Sequence, residues 1–336
     1  MAVKREARLT YELKRNSVTK NERYNFMVSV VVPAMNEEGN IDEFCRLFAE
    51  MRQSARFDVE LIYVDDGSTD RTREKIVENS RKHDFVRLAV HHRNRGLTEA
   101  LQTGFAIARG EVFVFYPADL QYLPNDIPRL VAPIADGADV TTGWKQGKYN
   151  KRFVSKVYNS FSRAIFGLKV HDLNSVKAFR REVIDNIFLR KDWHRYLVPL
   201  AANEGYRVEE EKVQLYPRKW GKTKFSIWRI PVGVLDMLAV KFQITFARKP
   251  LLYFGVTGSI LMALALLVGL YAVYERYVLA HGERPLLYLV ILLAGLGLGL
   301  FILGFMSESQ AAMKEELGDL RKKTQGILDE LKQQKK

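Results

Sequence analysis

Val28-Ser29-Val30-Val31-Val32-Pro33-Ala34-Met35-Asn36-Glu37-Glu38 decides how the long N-terminal part of this chain folds. Branched residues suited to a pleated sheet run up to a proline, and a polar, acidic turn then opens a helical pattern. Val59-Glu60-Leu61-Ile62-Tyr63-Val64-Asp65-Asp66-Gly67-Ser68-Thr69-Asp70 repeats the arrangement. Further strands are expected at Val86 to Val90, Val112 to Tyr116 and Val140 to Thr142. Strand and helix in alternation give an α/β fold, a doubly wound and mainly parallel sheet with helices on both faces. Ligands of such sheets bind beyond the carboxyl ends of the strands, so the residues just after each strand carry the function.

Both first exits are polar or acidic. Asn36 suits a helix cap, as do Ser68 and Asp70. Asp65 and Asp66 fit that role less well, because adjacent carboxylates repel unless donors or a cation lie near. Arg93-Asn94-Arg95-Gly96 sets two cations and a glycine where the helix Leu97 to Ala108 begins, which suits a phosphate. Along that helix Ala100, Gly104 and Ala108 recur every four residues, a small-residue stripe for close packing on the sheet. Cys45 is the sole cysteine, excluding an intramolecular disulfide, and reads as a buried small apolar residue.

The fourth strand ends in Tyr116-Pro117-Ala118-Asp119-Leu120-Gln121. The segments Pro33 to Glu37, Asp65 to Asp70, Asn94 to Gly104 and Ala118 to Gln121, in this order, resemble family 2 GT-A glycosyltransferases. Among these, the chain is most similar to polyprenyl-phosphate sugar synthases of the dolichol-phosphate mannose synthase type. The resemblance covers about residues 27 to 225 and extends to paired C-terminal spans. It implies that Pro33, Asn36, Glu37, Asp65, Asp66, Arg93, Gly96, Asp119, Arg218 and Lys224 hold a nucleotide-sugar. It also implies that Asp119 and Gln121 ligate a divalent cation, Mg²⁺ or Mn²⁺, on the donor diphosphate. Pro117 stands where the first aspartate of that site is expected, and proline has no side-chain oxygen for a hard cation. The expected cation site is therefore weakened.

Transfer to a lipid phosphate needs no strong general base, since a phosphate oxygen is already anionic at neutral pH. What the acceptor needs is cations. Thr142-Gly143-Trp144-Lys145 leads to Lys148, Lys151, Arg152, Ser155 and Lys156. By the resemblance Lys145, Arg152 and Ser155 bind the acceptor phosphate, lysine keeping the charge of an arginine without its planar fork; the other reading is a solvated basic helix face. Asp172, with Ser175 and Val176 around an expected glycine, is a candidate for orienting the sugar or the acceptor. The expected catalytic set is Asp119, Lys145, Arg152 and Asp172. Asp192-Trp193-His194-Arg195 is a candidate for the flank of the same pocket. Arg218-Lys219-Trp220-Gly221-Lys222-Thr223-Lys224-Phe225 reads either as a lid over the diphosphate or as a basic juxtamembrane patch.

Two uncharged runs follow, Leu251 to Tyr274 and Leu286 to Met306, each long enough to cross a bilayer as a helix. Cations concentrate outside the pair, at Arg248, Lys249 and from Lys314 onward, which places both flanks and the catalytic domain in the cytosol. The expected organisation is a basic arm at 1–26 and a GT-A domain at 27–224. Interfacial helices at 225–250, spans at 251–274 and 286–306, and a cytosolic tail at 307–336 complete it. In the tail Met313, Leu317, Leu320, Thr324, Ile327 and Leu331 form a heptad seam, which predicts a homo-oligomer. Gly295, Gly297 and Gly299 suit close packing of the second span. The formal net charge of +13 fits an anionic membrane surface, and the spans and acidic strand ends oppose nucleic acid as partner.

Taken together, these features predict an inverting hexosyltransferase of the inner membrane, moving sugar from a UDP- or GDP-sugar to undecaprenyl or dolichyl phosphate on the cytosolic face. Two alternatives stay open: transfer to a lipid hydroxyl or glycan, and a non-catalytic membrane scaffold built on a degenerate transferase.

Overall fold

The computed structural model describes residues 23–147, 152–168, 170–187, 189–190, 192–220, 229–246, 250–279 and 284–334. Most of the expected N-terminal arm, together with Lys148, Lys151 and Lys224, lies outside the described residues. The chain divides into two compact units, Met1–Met237 and Leu238–Lys336.

In the first unit, seven strands form one sheet: β1 (Met27–Ala34), β2 (Asp58–Asp66), β3 (Val86–His91), β4 (Val112–Phe115), β5 (Val140–Gln146), β6 (Lys177–Arg180) and β7 (Val208–Gln214). Their order is β3-β2-β1-β4-β6-β5-β7. β6 runs against both its neighbours, and all other pairs are parallel. β5 and β4 thus point the same way, and every strand except β6 ends at one rim. The five expected strands are present, β5 running on to Gln146. β6 and β7 are additions: one is four residues long with a charge at each end, and the other carries the charged residues typical of a sheet edge.

Helices α1 (Glu38–Ser54), α2 (Thr72–Lys82), α3 (Leu97–Ile107), α4 (Ile127–Ala135), α5 (Arg152–Phe166), α6 (Arg181–Asn186) and α7 (Leu197–Asn203) cover the sheet. Val30, Val32, Phe44, Phe48, Tyr63 and Tyr116 fill one face, with Val31, Ile62, Val64, Leu101 and Phe105 on the other. On that second face a Cβ at Gly104 would collide with the Val31 side chain, so the small-residue stripe does set how closely α3 approaches. Cys45 is fully buried, and desolvation pushes its thiol up to about 11, leaving it a packing residue. After β3 the chain returns to add β4 on the free side of β1, so the rim between β1 and β4 is a topological switch point.

Helix α8 (Arg229–Phe246) contains the division between the units, and it is one helix where an interfacial pair is expected. The second unit holds α9 (Pro250–Tyr277) and α10 (Arg284–Gln334). Both are long and apolar enough to cross a membrane and bury little of their surface, unlike core helices of a soluble protein. The chain is a membrane protein. The second span and the tail are one continuous helix of 51 residues. The hairpin closes through glycines: a Cβ on Gly258 would meet the Gly297 carbonyl at 2.5 Å, and one on Gly304 would meet the Gly255 amide at 3.0 Å. Of the three glycines noted in the second span, only Gly297 makes such an approach; Gly295 and Gly299 face open space.

Candidate functional site

The exits of β1 and β2 are stitched together. Asn36, in the left-handed region at φ 57°, accepts the Thr69 amide at 2.8 Å. Thr72 accepts the Glu37 amide at 2.8 Å, Asp70 accepts the Glu38 amide at 3.3 Å, and Glu38 accepts the Arg71 amide at 2.9 Å. Capping therefore crosses between the helices: α1 is capped from the β2 loop, and α2 from the first turn of α1. Pro33, Asn36 and Glu37 are brought to one lip of the rim by this lacing.

Asp65 and Asp66 are both buried, and the donors they need come from the protein itself. Asp65 accepts the Ser68 amide at 3.0 Å and pairs with Arg73 at 2.8 Å. Asp66 accepts the amides of Arg95 and Gly96 at 2.8 and 2.9 Å and contacts the His91 imidazole at 2.7 Å. Those two amides are where a phosphate was expected, and Asp66 already occupies them. Gly96 holds φ 93°, and a Cβ at Gly67 would sit 2.5 Å from the Arg93 backbone, so glycine is required where these loops touch. Gly96 thus lies beside Asp66, and Arg93 beside Gly67, through backbone contacts.

Asp119 lies beyond β4, almost buried. One oxygen accepts the Gln121 amide at 3.2 Å, and the other pairs with Arg218 at 2.6 Å. Arg218 belongs to a strap that crosses the rim after β7. Leu215 donates to the Gln146 carbonyl at 2.9 Å and Tyr216 to the Gln121 carbonyl at 2.8 Å, while Trp220 packs against Gly39 at the start of α1. Among the described residues no three His, Cys, Asp or Glu side chains gather to hold a metal ion. With Pro117 offering no oxygen, the donors at this point are one carboxylate, shared with an arginine, and the amide of Gln121.

At the exit of β5, Lys145 lies 3.2 Å from the buried carboxylate of Asp172. Asp172 also accepts the Asn174 amide at 2.8 Å, and Thr142 donates to its carbonyl at 3.1 Å. Arg152 and Ser155 fall in the first turns of α5, and their side chains lie outside the described atoms. One feature here, Lys177, was not singled out from sequence, whereas His194 lies in the segment expected to flank the pocket. Lys177 is buried at the start of β6, where desolvation pulls its ammonium down to about 7. His194 turns its ring inward to Thr98 at 3.0 Å, and burial, with Arg195 and Lys177 near, holds it down at about 3, so it stays neutral. A buried lysine inside a four-residue strand leaves no periodic signal that would have exposed it.

Residues 29–192 match the glycosyl transferase family 2 pattern. A dodecaprenyl-phosphate galacturonate synthase of Rhizobium johnstonii is 31% identical over 84% of this chain and 86% of its own length. The chain belongs to glycosyl transferase family 2. A second family relative is an undecaprenyl-phosphate 4-deoxy-4-formamido-L-arabinose transferase of Pseudomonas fluorescens, 28% identical over 76% of this chain and 75% of its own. The glucosyl-3-phosphoglycerate synthase of Mycobacterium tuberculosis, solved with Mn²⁺ and UDP, shares the fold at TM-score 0.53 and 20% identity. That likeness covers 65% of this chain and 80% of that one. The family 2 pattern stops at residue 192, so Arg195 and the strap with Arg218 lie beyond it.

Proposed function

We propose that the chain is a membrane-bound inverting glycosyltransferase that moves a sugar from a UDP- or GDP-sugar to polyprenyl phosphate on the cytosolic face of the inner membrane. The observation that carries this reading is the extent of the Rhizobium match, which at 84% of the chain and 86% of its own length is longer than the unit that holds the sheet. Pro33, Asn36, Glu37, Asp65 and Asp66 form the nucleoside lip, with Asp66 fixing the loop of Arg93 and Gly96 rather than facing the ligand. Asp119, Arg218 and Lys224 serve the diphosphate. Lys145, Arg152 and Ser155 take the acceptor phosphate, and Asp172 orients Lys145.

In the reaction a phosphate oxygen of the acceptor attacks the anomeric carbon from the face opposite the diphosphate. The bond from that carbon to the diphosphate oxygen breaks, and its electron pair leaves with the nucleoside diphosphate. The protein's task is to align the two phosphates and neutralise the leaving charge. Arg218 brings one fixed positive charge to that place; Asp119 and Gln121 would hold a divalent cation there, which would supply more. With one protein carboxylate to hold it, such a cation would bind weakly.

Both termini are cytosolic in this reading. Helix α8 exposes Leu235, Leu238 and Phe242 at helical spacing while burying Met237 and Val240, which suits a helix lying in the headgroup region. Exposed Met313, Leu317 and Leu320 on α10 favour a homo-oligomer; light scattering in detergent giving one chain per particle would remove that element.

The transfer itself is tested by incubating the purified full-length protein in detergent with labelled nucleotide-sugars and undecaprenyl phosphate. The expected product is a labelled lipid lost on mild acid, as a glycosyl phosphate is. An acid-stable labelled lipid would mean a hydroxyl acceptor, and failure to bind any nucleoside diphosphate would favour a scaffold. The two relatives name sugars of different character, an acidic galacturonate and a formamido-arabinose that carries no carboxylate.

A further inference from the structure

Lys177 stands where the two substrates must meet. As the first residue of β6 it pairs with Phe115, at the end of β4, and with Thr142 of β5. β4 leads to Asp119 at the diphosphate, and β5 leads to Lys145 at the acceptor phosphate. A sugar passing from one to the other lies over β6. Lys177 is only 2% exposed; its ammonium donates to the Ser175 carbonyl at 2.8 Å and lies 5.8 Å from the centre of the Phe115 ring. An ammonium has three donors, and one carbonyl with an aromatic face leaves it undersupplied.

The neighbouring charges sharpen the deficit. Lys145 and Arg195 both act on Lys177, and Asp172 is the one carboxylate that does, already in contact with Lys145. Arg195 makes no ion pair or hydrogen bond among the described residues. His194, the remaining titratable group there, adds no negative charge. Three basic side chains around one acid, partly out of water, call for a further anion, since buried charge is costly unless paired. The acceptor phosphate lies beyond the anomeric carbon, over β5, where Lys145 and Arg152 serve it. A neutral hexose offers only hydroxyls at the position between.

We propose that Lys177 and Arg195 form a subsite for a carboxylate on the transferred sugar, so that the donor is a nucleotide-activated uronic acid. The inference rests on the transferase reading and adds the class of its donor. It also accounts for the titration of Lys177: without an anion burial favours the neutral amine, and a carboxylate beside it restores the ammonium.

Titration calorimetry on the full-length protein in detergent tests this with UDP-galacturonate and UDP-glucuronate against UDP-galactose and UDP-glucose, and with GDP-mannuronate against GDP-mannose. With the base the protein accepts, the uronate is expected to bind about tenfold more tightly than its neutral partner, the effect of one charge-assisted contact. That preference is expected to collapse in Lys177→Met and in Arg195→Gln and to persist in Lys177→Arg. Arg195→Gln alone carries the test if Lys177→Met does not fold. Equal binding of acidic and neutral donors, or a preference untouched in folded variants, overturns the subsite. So does a variant whose defect is confined to the KM for polyprenyl phosphate, which would make the anion the acceptor's. Uronate preference without any transfer would overturn the transferase reading and uphold the subsite; transfer of neutral sugars alone would do the reverse. Failure of every donor to bind overturns both.

Discussion

Pro117 stands two residues before Asp119, where a second carboxylate would complete a cation's ligand set, and Arg218 pairs with the acid that remains. Restoring the acid is expected to tighten the cation without repositioning the donor. In Pro117→Asp the Mn²⁺ concentration for half-maximal transfer should fall by about tenfold or more; an unchanged Mn²⁺ titration would show that the cation does not sit there. Lys177 gives a second expectation. Its ammonium lies at about 7 in the fold against 10.5 when free, under burial, Lys145 and Arg195, with Asp172 opposing. Between those values the unfolded chain holds a proton that the folded chain lacks, so this residue makes stability rise with pH over that window. Lys177→Met should therefore melt above wild type near pH 7 in detergent, with the gap closing toward pH 10. A gap that widens with pH would contradict the burial of that charge. The position of Asp65, Asp119 and Lys145 at the rim was legible in the sequence because each lies at or just beyond the carboxyl end of a strand. The latch role of Asp66 was not, since its partners Arg95 and Gly96 reach it only once β2 and β3 pair.

Five strands and their parallel sense followed from branched runs and intervening helical patterns, because a strand buried on both faces has a distinct composition. β6 escaped that reading, and it is the element that matters most for the sugar. Lys-Ala-Phe-Arg has no period, and only its insertion between β4 and β5 carries Lys177 to the rim. α3 was legible for the opposite reason, since the spacing of Ala100, Gly104 and Ala108 can be read along one helix. Gly104→Val forces branched carbons against Val31 and should destabilise the protein by about 1–3 kcal/mol, the usual cost of overpacking. Thermal unfolding in detergent measures it, and an unchanged midpoint would mean that α3 does not rest on β1 as described. In the membrane hairpin, glycines of the second span were visible, but which one packs depended on its partner helix: Gly297 meets Gly258, and its two neighbours meet nothing.

The two units divide the work that the reaction demands. The sheet gathers acids and bases at one rim, and the two apolar helices suit a chain that works where a polyprenyl phosphate resides. The two long apolar helices were legible from apolar length alone, whereas the fusion of the second with the tail was not. A heptad seam and an apolar run have nearly the same helical period, so nothing in the pattern marks a break or its absence. The same economy explains the basic balance of the chain, which serves anionic lipid and anionic substrates together. The central claim is that Asp119 and Arg218 hold the donor diphosphate at the rim from which sugar passes to a lipid phosphate. The most direct measurement is the initial rate of lipid-linked label formed by full-length wild type and by Asp119→Ala, at saturating donor, undecaprenyl phosphate and Mn²⁺. Wild type should form an acid-labile labelled lipid, and Asp119→Ala should lose about 10²–10³-fold in rate while still folding. Equal rates in the two proteins would contradict the account.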